Sequence, residues 1–207
     1  MMLSENGNGK TLVIGARGGI GSALVKKLGK CDTLTSEDLD LNEPQQVSKI
    51  DLKNYGTVIN CAGHSKGTFL GFQKNTYENI ISQVNVNYTS NLVLLKRFSE
   101  QRDSGRYVWI SSDVMDHPRP FHSVYASSKV ASQYAIDLIK KEMEHIKILE
   151  IKIGFAKTSF RYNNFLGTKT RKEVDQSYDR DGALDPKFIA DQIVIALNNK
   201  KEFVHIK

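Results

Sequence analysis

A tyrosine and a lysine four residues apart are the residues of this chain best suited to acid/base chemistry. The segment VYASSK (124–129) lies in a stretch typical of a helix, so Tyr125 and Lys129 share one helix face. A free tyrosine has a pKa of about 10, and a neighbouring ammonium group is expected to lower that pKa toward the range useful for proton transfer. Ser112 ends an apolar run upstream, where its hydroxyl would stabilise a developing alkoxide.

A second group of residues is suited to binding a nucleotide. The segment IGARGGIG (14–21) follows an apolar run and precedes a helical pattern, and Gly15, Gly19 and Gly21 have the spacing G-x-x-x-G-x-G. Glycines allow a tight turn and let the backbone approach a pyrophosphate, which the N-terminus of the next helix stabilises. The alternative is a plain turn between a strand and a helix, but the position of the segment in an alternating α/β chain favours cofactor binding.

The elements that must position these residues alternate between short apolar runs and amphipathic stretches. The runs typical of strands are TLVI (11–14), CDTLT (31–35), GTVIN (56–60), RYVWIS (106–111), IKILEIKI (146–153) and FVHI (203–206). Long helices are predicted over 76–103 and 124–144, and another begins with Asp185 as its N-cap and Pro186 at its first position. This alternation predicts an α/β, mainly parallel sheet with helices on both faces.

The length of 207 residues suits a single NAD(P)-binding domain over residues 1–207. The least regular region, 158–185, is predicted to be a substrate-binding loop or lid, because long loops in compact domains are usually functional. Aromatic residues alternate there with basic ones, which would suit a ring-bearing or an anionic substrate; the alternative is a solvated lid. The aromatic residues are Phe160, Tyr162 and Phe165, and the basic ones are Arg161, Lys169 and Arg171.

Composition argues against several classes of protein. The formal net charge of +6 comes from lysines and arginines dispersed along the chain, so nucleic-acid binding is not predicted and remains only a rival hypothesis. No apolar stretch approaches the roughly 18 residues of a membrane span. Cys31 and Cys61 form no CxxC pair or Cys/His cluster, and His64, His117 and His122 have no companion ligands, so no metal site is predicted. The expected location is cytoplasmic.

Six segments, in order along nearly the whole chain, resemble the motifs of the short-chain dehydrogenase/reductase family. They are IGARGGIG (14–21), LDLNEPQQV (39–47), NCAG (60–63), VNVN (84–87), the pair WISS (109–112) and YASSK (125–129), and GFAKT (154–158). Ser112 precedes Tyr125 by 13 residues, as in the family. The chain departs from the family pattern at Ile14, Cys61 and Ile153, where threonine, asparagine and proline are usual.

The resemblance implies a Rossmann-type, doubly wound sheet of about seven strands. It also implies an NAD(P)(H)-dependent oxidoreductase that interconverts a small-molecule carbonyl and an alcohol. It implies a catalytic group of Asn85, Ser112, Tyr125 and Lys129, in which Lys129 also holds the nicotinamide ribose and Asn85 anchors a proton-relaying water. Together with the glycine loop it implies cofactor contacts from Gly15, Arg17, Gly18, Gly19, Ile20, Gly21, Thr35, Ser36, Asp40, Asn60, Ala62, Gly63, Tyr125, Lys129, Gly154, Ala156 and Thr158. Packing of the helices that carry Asn85 and Tyr125 against a partner subunit implies a homodimer or homotetramer.

The residues that follow the second predicted strand bear on the choice of cofactor. An acidic side chain there would bind the ribose of NAD, but Thr35 and Ser36 occupy this position, and their hydroxyls with Arg17 suit the 2′-phosphate of NADP. Glu37 remains within reach of a ribose, so NADP(H) is favoured and NAD(H) stays possible. The alternative to an enzyme is a non-catalytic NAD(P)-binding sensor or interaction protein.

Overall fold

A parallel β-sheet is the centre of the computed structural model of this protein, which describes residues 9–117, 119–165 and 169–207. Its strands are β1 (Lys10–Ile14), β2 (Asp32–Leu34), β3 (Tyr55–Asn60), β4 (Gly105–Ser112), β5 (Ile146–Ile153) and β6 (Phe203–Ile206). They lie in the order β2-β1-β3-β4-β5-β6, and every neighbouring pair is parallel. The carboxyl ends of all six strands therefore meet at one edge of the sheet.

Helices cover both faces of this sheet, as the sequence predicts. The α-helices are α1 (Gly19–Leu28), α2 (Pro44–Val47), α3 (Tyr77–Val84), α4 (Ser90–Gln101), α5 (Ser123–Glu142), α6 (Phe160–Phe165), α7 (Arg171–Arg180) and α8 (Pro186–Asn198). Short 3-10 helices span Thr68–Leu70, Phe72–Lys74 and Asp113–Met115. The Asp185 carboxylate accepts a hydrogen bond from Lys187 N at 2.7 Å, which confirms the predicted start of α8.

Alternate strand residues point to opposite faces and build two apolar layers. One layer packs strand residues such as Val13 and Ile151 against α1 and α8, through Leu24 and Ile193. The other packs Leu12, Tyr107 and Trp109 against α4 and α5, through Phe98 and Ile136. Burial on both faces explains why the strands appear in the sequence as nearly continuous apolar runs.

The strand count differs from the prediction: the described residues contain six strands, not about seven. After β2 the chain turns back at once, with Asp38 N and Leu39 N donating to Thr35 O. Only six residues separate Leu34 from Leu41, too few for a crossover helix and a further strand. The chain between β2 and the LDLNE segment therefore forms turns and no helix, and β2 is an edge of the sheet.

The helix predicted over 76–103 is interrupted by a wider turn. Residues Asn85–Thr89 form a π-helix between α3 and α4, so successive side chains are rotated relative to a continuous α-helix. The π-helix determines which of the two asparagines of VNVN, Asn85 or Asn87, lies beside the cleft.

The segment predicted as a loop, 158–185, contains two helices, α6 and α7. Its two ends meet in a parallel bridge between Ala156 and Leu184, with Lys157 N donating to Leu184 O at 2.9 Å. Thr170 and Glu173 form a capping box at the start of α7. The segment therefore begins and ends beside the carboxyl end of β5.

Candidate active site

A cleft of about 1240 Å³ lies at the carboxyl ends of the strands. Its walls come from the turn after β1, from residues that follow β2, β3, β4 and β5, and from the start of α6. Parallel α/β sheets bind their ligands at this edge because the loops that leave the strands converge there. The predicted site residues that line the cleft are Gly15, Arg17, Gly18, Gly19, Ile20, Thr35, Ser36, Asp40, Ala62, Gly63, Ser112, Tyr125, Lys129, Gly154, Ala156 and Thr158.

Three of the predicted catalytic side chains lie together in this cleft. Ser112 is the last residue of β4, and Tyr125 and Lys129 lie in the first two turns of α5, which packs beside that strand. The Ser112 hydroxyl lies close enough to the Tyr125 phenol to lower its pKa. The Lys129 ammonium donates to Ile110 O at 3.1 Å, and the Lys129 side chain is almost fully buried.

Burial dominates the electrostatics of this group. Burial raises the pKa of Tyr125 to about 12; the hydrogen bond to Ser112 lowers that pKa, and the Asp113 carboxylate raises it. The expectation that Lys129 brings the pKa of Tyr125 below 10 is therefore wrong. Burial also lowers the pKa of Lys129 to about 8. At neutral pH the phenol keeps its proton, which makes Tyr125 a proton donor.

Asn85 does not lie among the cleft residues, whereas Asn87 lies beside them. The Asn85 amide donates to Asn42 O at 2.9 Å. Asn87 is buried within the π-helix; its Nδ2 donates to His64 O at 2.7 Å, and its Oδ1 accepts from His64 N at 2.8 Å. A methyl group on Gly63 would lie 3.7 Å from Asn87 Oδ1 and 4.0 Å from Lys129 Nζ, so these two groups flank the same backbone.

The glycine loop wraps the end of β1 closely. Gly15 has a φ of 76°, which favours glycine, and a Cβ there would lie 2.8 Å from Ala62 N. A Cβ on Gly21 would lie 2.3 Å from Gly15 O, so Gly21 lets α1 approach the turn but does not itself line the cleft. The first turn of α1 has no acidic residue and no side-chain cap, so its amide groups and positive dipole end face the cleft.

Asn60, another predicted contact, is buried below the cleft rather than in its wall. Its Oδ1 accepts from Ala62 N at 3.1 Å, and its Nδ2 donates to Asn91 Oδ1 at 3.0 Å. Asn60 thus shapes the turn that presents Ala62 and Gly63. After β5, the Thr158 side chain lies against Gly19, where a Cβ would come within 2.5 Å of it, so this part of the chain contacts the glycine loop directly.

The residues after β2 combine hydroxyl groups with carboxylates. The Thr35 hydroxyl donates to Asp38 Oδ2 at 2.9 Å, and Thr35 N donates to the same oxygen. Arg17 forms an ion pair with Glu37, and both side chains are largely exposed. Asp40 accepts from Asn42 N at 2.8 Å in a turn of its own. The guanidinium of Arg17 and the carboxylates after β2 therefore lie where the cofactor's ribose is expected.

The sequence-based interpretation missed several residues that line the cleft, chiefly Asp113, Phe69 and Phe121, and also Asn87, which lies beside Gly63 of the cleft wall. Asn87 had a visible signal, since VNVN contains two asparagines, but only the π-helix decides between them. Among the residues that the structure describes, no group of three or more His, Cys, Asp or Glu side chains could hold a metal ion. None of the described helices combines the length and apolar character that crossing a membrane requires.

Comparison with protein families gives a match to the family model described as short chain dehydrogenase. The match covers residues 45–167, more than half of the chain, and includes Ser112, Tyr125 and Lys129 but not the glycine loop. No curated protein matches the chain.

Solved structures of similar fold cover nearly the whole chain at low sequence identity. A short chain dehydrogenase from Burkholderia cenocepacia in complex with NADP is 16% identical, with a TM-score of 0.75 over 100% of this chain and 90% of that one. A short chain dehydrogenase/reductase from Burkholderia phymatum with NAD is 16% identical, with a TM-score of 0.75 over 96% and 89%. An alcohol dehydrogenase from Thermococcus sibiricus with 5-hydroxy-NADP is 20% identical, with a TM-score of 0.73 over 95% and 95%.

Proposed function

Because this chain belongs to the short-chain dehydrogenase family, we propose that it interconverts a small-molecule carbonyl and an alcohol with a nicotinamide cofactor, NADP(H) in preference to NAD(H). One observation carries this proposal: Ser112, Tyr125 and Lys129 meet in the same cleft as the glycine loop. The hydroxyl pair would contact the substrate oxygen, and the loop would bind the cofactor's phosphates.

The cleft fits a dinucleotide. Gly15 and Gly19 let the glycine loop pack closely against Ala62 and Thr158, and the uncapped start of α1 offers amide groups to a pyrophosphate. Thr35, Ser36 and Asp40 line the adenosine end, whereas Lys129, Gly154 and Thr158 line the opposite end. When bound, the reduced nicotinamide supplies a hydride to the carbonyl carbon and is oxidised.

The protein's own part in the reaction is proton transfer and charge stabilisation. Tyr125, protonated at neutral pH, donates its proton to the substrate oxygen as negative charge develops there, and Ser112 stabilises that oxygen with a hydrogen bond. A pKa of about 8 makes Lys129 a stronger acid than Tyr125 at about 12, so Lys129 can return a proton to the phenolate. In alcohol oxidation the same steps run in reverse.

We assign to Asn87 the relay role that the family resemblance implied for Asn85. Asn87 is buried beside Gly63 and Lys129, and its carboxamide holds both backbone groups of His64. Asn85 is bonded to Asn42 instead. A relay must lie near the lysine whose proton it passes on, and of the two asparagines Asn87 meets this requirement.

The two asparagines offer a matched pair of variants. We expect Asn87→Ala to lower kcat by about tenfold or more, in the lower part of the range for lost proton-transfer groups, whereas Asn85→Ala should keep kcat within about twofold. Both proteins should be checked for folding by circular dichroism before the kinetics are compared. Equal kcat losses in the two variants would argue against the assignment.

The pH dependence of carbonyl reduction should follow Lys129. Its pKa of about 8 means that the ammonium is present below that pH and is lost as the pH rises through it. We therefore expect kcat for reduction to be level near neutral pH and to fall above about pH 8, because the lysine can then no longer reprotonate Tyr125. The declining limb should disappear in Lys129→Met; a wild-type rate that rises through pH 8 would contradict the scheme.

The preference for NADP(H) rests on Arg17 and on the hydroxyls of Thr35 and Ser36. An exposed ion pair such as Arg17–Glu37 contributes little stability, so a 2′-phosphate can replace the Glu37 carboxylate at small cost. NADP or a derivative is bound in the Burkholderia cenocepacia and Thermococcus structures, and NAD in that from Burkholderia phymatum.

The proposed function is tested by following nicotinamide absorbance over a panel of aldehydes, ketones and alcohols with each cofactor. We expect turnover of at least one carbonyl class, faster with NADPH than with NADH. The rival reading is a non-catalytic NAD(P)-binding sensor. It would be supported by cofactor binding in calorimetry without turnover over the whole panel.

We also propose that the chain forms a homodimer or homotetramer through α5. Val130, Tyr134 and Leu138 form an exposed apolar stripe along this helix, at helical spacing. The neighbouring α3 exposes Tyr77 and Ile81, so the two helices offer one apolar face. Such a face on a protein surface is typical of an interaction site.

A charge in the middle of this stripe should disrupt the oligomer. We expect Tyr134→Glu to shift the protein from dimer or tetramer to monomer in light scattering at micromolar concentration, because the assembled form would bury an unpaired carboxylate. Lys26→Glu adds a negative charge at an exposed position of α1, which packs on the opposite face of the sheet from α5, and should leave the assembly unchanged. A monomeric wild-type protein would contradict the proposal.

A further inference from the structure

Aromatic side chains line the part of the cleft around Tyr125. The Phe160 ring lies 5.8 Å from the Tyr125 ring, centroid to centroid. Phe69 packs edge-on against His122 at 4.9 Å, and both line the cleft together with Phe121, two residues before α5 begins. Rings with this geometry attract further flat rings, which prefer offset-stacked or edge-to-face contacts.

The backbone of Phe121 is unusual for an aromatic residue. Its φ of 69° lies in the left-handed region, where the only other described residue besides glycine is Lys200. The Phe121 ring packs against Gly71, whose Cβ position would lie 3.3 Å away, yet 56% of the residue remains exposed. Strained conformations persist where the surrounding structure imposes them, and they cluster at ligand sites. Core burial does not account for this ring, but a role at the cleft mouth does.

Two cations near α6 and α7, Lys169 and Arg171, contact aromatic rings of the segment 158–185. Lys169 lies 4.5 Å above the Phe165 ring, and Arg171 lies 5.4 Å from the Tyr162 ring. Neither Lys169 nor Arg171 lines the cleft. The anionic substrate that these residues suggested in the sequence therefore loses its support.

The charged groups that do face the cleft near Tyr125 do not favour an anion. Arg161 lines the cleft, but it is paired with Asp181 at 3.1 Å and stacked on Phe155 at 4.2 Å. Asp113 places a negative charge close to the phenol. Arg119 lies at the exposed rim. The Asp113 carboxylate therefore disfavours a negatively charged substrate next to Tyr125, whereas the buried Lys129 ammonium is hydrogen-bonded to Ile110 O.

We propose that the substrate is an uncharged carbonyl compound, or the corresponding alcohol, that carries an aromatic ring, with the ring held among Phe69, Phe121 and Phe160. This inference rests on the proposed function, since Tyr125 and Ser112 are taken to contact the substrate oxygen. It narrows that function to one class of substrate, recognised by ring-to-ring contact.

Two ketones with equal numbers of carbon atoms test the class directly. Acetophenone carries the ring and 2-octanone carries a linear chain, and we expect kcat/KM with NADPH to be at least about tenfold higher for acetophenone. 4-Acetylbenzoate adds a carboxylate to the same ring and should react less well than acetophenone. Equal or better turnover of 2-octanone would overturn the inference, and a preference for 4-acetylbenzoate would replace it with an anionic class recognised through Arg119.

Phe121→Gly removes the ring without endangering the fold, because glycine adopts a positive φ readily. We expect this variant to unfold at the same temperature as the wild type or higher, and to lose about tenfold in kcat/KM for acetophenone while 2-octanone changes by less than about twofold. Lys200→Gly removes the backbone strain at the other left-handed residue, which does not line the cleft. This variant should leave kcat/KM unchanged for both ketones. Equal losses for both ketones in Phe121→Gly would contradict the ring contact.

Binding measured without turnover separates this inference from the proposed function. Saturation-transfer NMR should detect acetophenone on the wild-type protein and a weaker signal on Phe121→Gly. If neither ketone is reduced but this pattern appears, the oxidoreductase function fails and the aromatic site stands. If acetophenone gives no signal on the wild type, the aromatic site is wrong whatever the outcome of the kinetics.

Discussion

Replacing Tyr125 with phenylalanine should lower kcat by about 10²–10⁴-fold, the range for a lost general acid. The ring and its contact with Phe160 remain, whereas the hydroxyl that donates the proton is removed. Ser112 alone cannot supply the proton efficiently, because an aliphatic hydroxyl is a weaker acid than a phenol. Steady-state kinetics with the best substrate of the panel, together with calorimetric titration of NADPH, measure the two consequences separately.

The matched control for this variant is Tyr134→Phe, which removes a hydroxyl from an exposed tyrosine nine residues along the same helix. Its kcat should equal that of the wild type. NADPH affinity should be close to normal in both variants, since neither change touches the glycine loop. A Tyr125→Phe enzyme with near-normal turnover would remove Tyr125 from the mechanism.

Arg17→Ala should weaken the binding of NADPH by about tenfold to a hundredfold, because a charge-assisted contact to a phosphate contributes roughly 1.5–3 kcal/mol. NADH should bind almost as before, since its 2′-hydroxyl has no comparable negative charge. The Glu37 carboxylate, released from Arg17, would then also repel the 2′-phosphate. Titration of both cofactors into wild type and variant measures the difference.

Lys27→Ala is the matched control, because it removes another exposed cation of the same region, one that is paired with Asp191 outside the cleft. It should change neither affinity. Thr35→Asp should shift the preference toward NADH by placing a carboxylate beside the phosphate position. Equal weakening of both cofactors in Arg17→Ala would assign Arg17 to the shared pyrophosphate, and a wild-type preference for NADH would point to Glu37 as the selecting residue.

All six strands could be predicted from the sequence to within one residue at each end, the central ones because they are buried on both faces. Val58, Val108 and Ile151, for example, belong to continuous apolar runs that a sequence shows directly. The prediction of a seventh strand was wrong because the number of strands was taken from the fold class and not from a run of residues. The helix α7, by contrast, had an unused signal in the Thr170–Glu173 capping box.

The positions of site residues could be predicted where a motif fixes their spacing along one helix or strand. They could not be predicted where tertiary packing determines which side chain lies in the cleft. Tyr125 and Lys129 share a helix face whatever surrounds them, so their meeting was predictable. The choice of Asn87 over Asn85 depends on a π-helix, which spacing does not reveal. The pKa of Tyr125 depends on burial, which outweighs the nearby ammonium, and the extent of burial is a property of the folded chain.

The central claim is that this cleft transfers a hydride between a nicotinamide and a carbonyl carbon while Tyr125 supplies the proton. The most direct measurement uses NADPH that carries deuterium on the transferring face of nicotinamide C4, with a ketone turned over in the panel. We predict one deuterium on the carbinol carbon of the product, seen by mass spectrometry, and almost none when Tyr125→Phe is used at the same enzyme concentration and time. Product without deuterium, or label transferred equally well by Tyr125→Phe, would contradict the account.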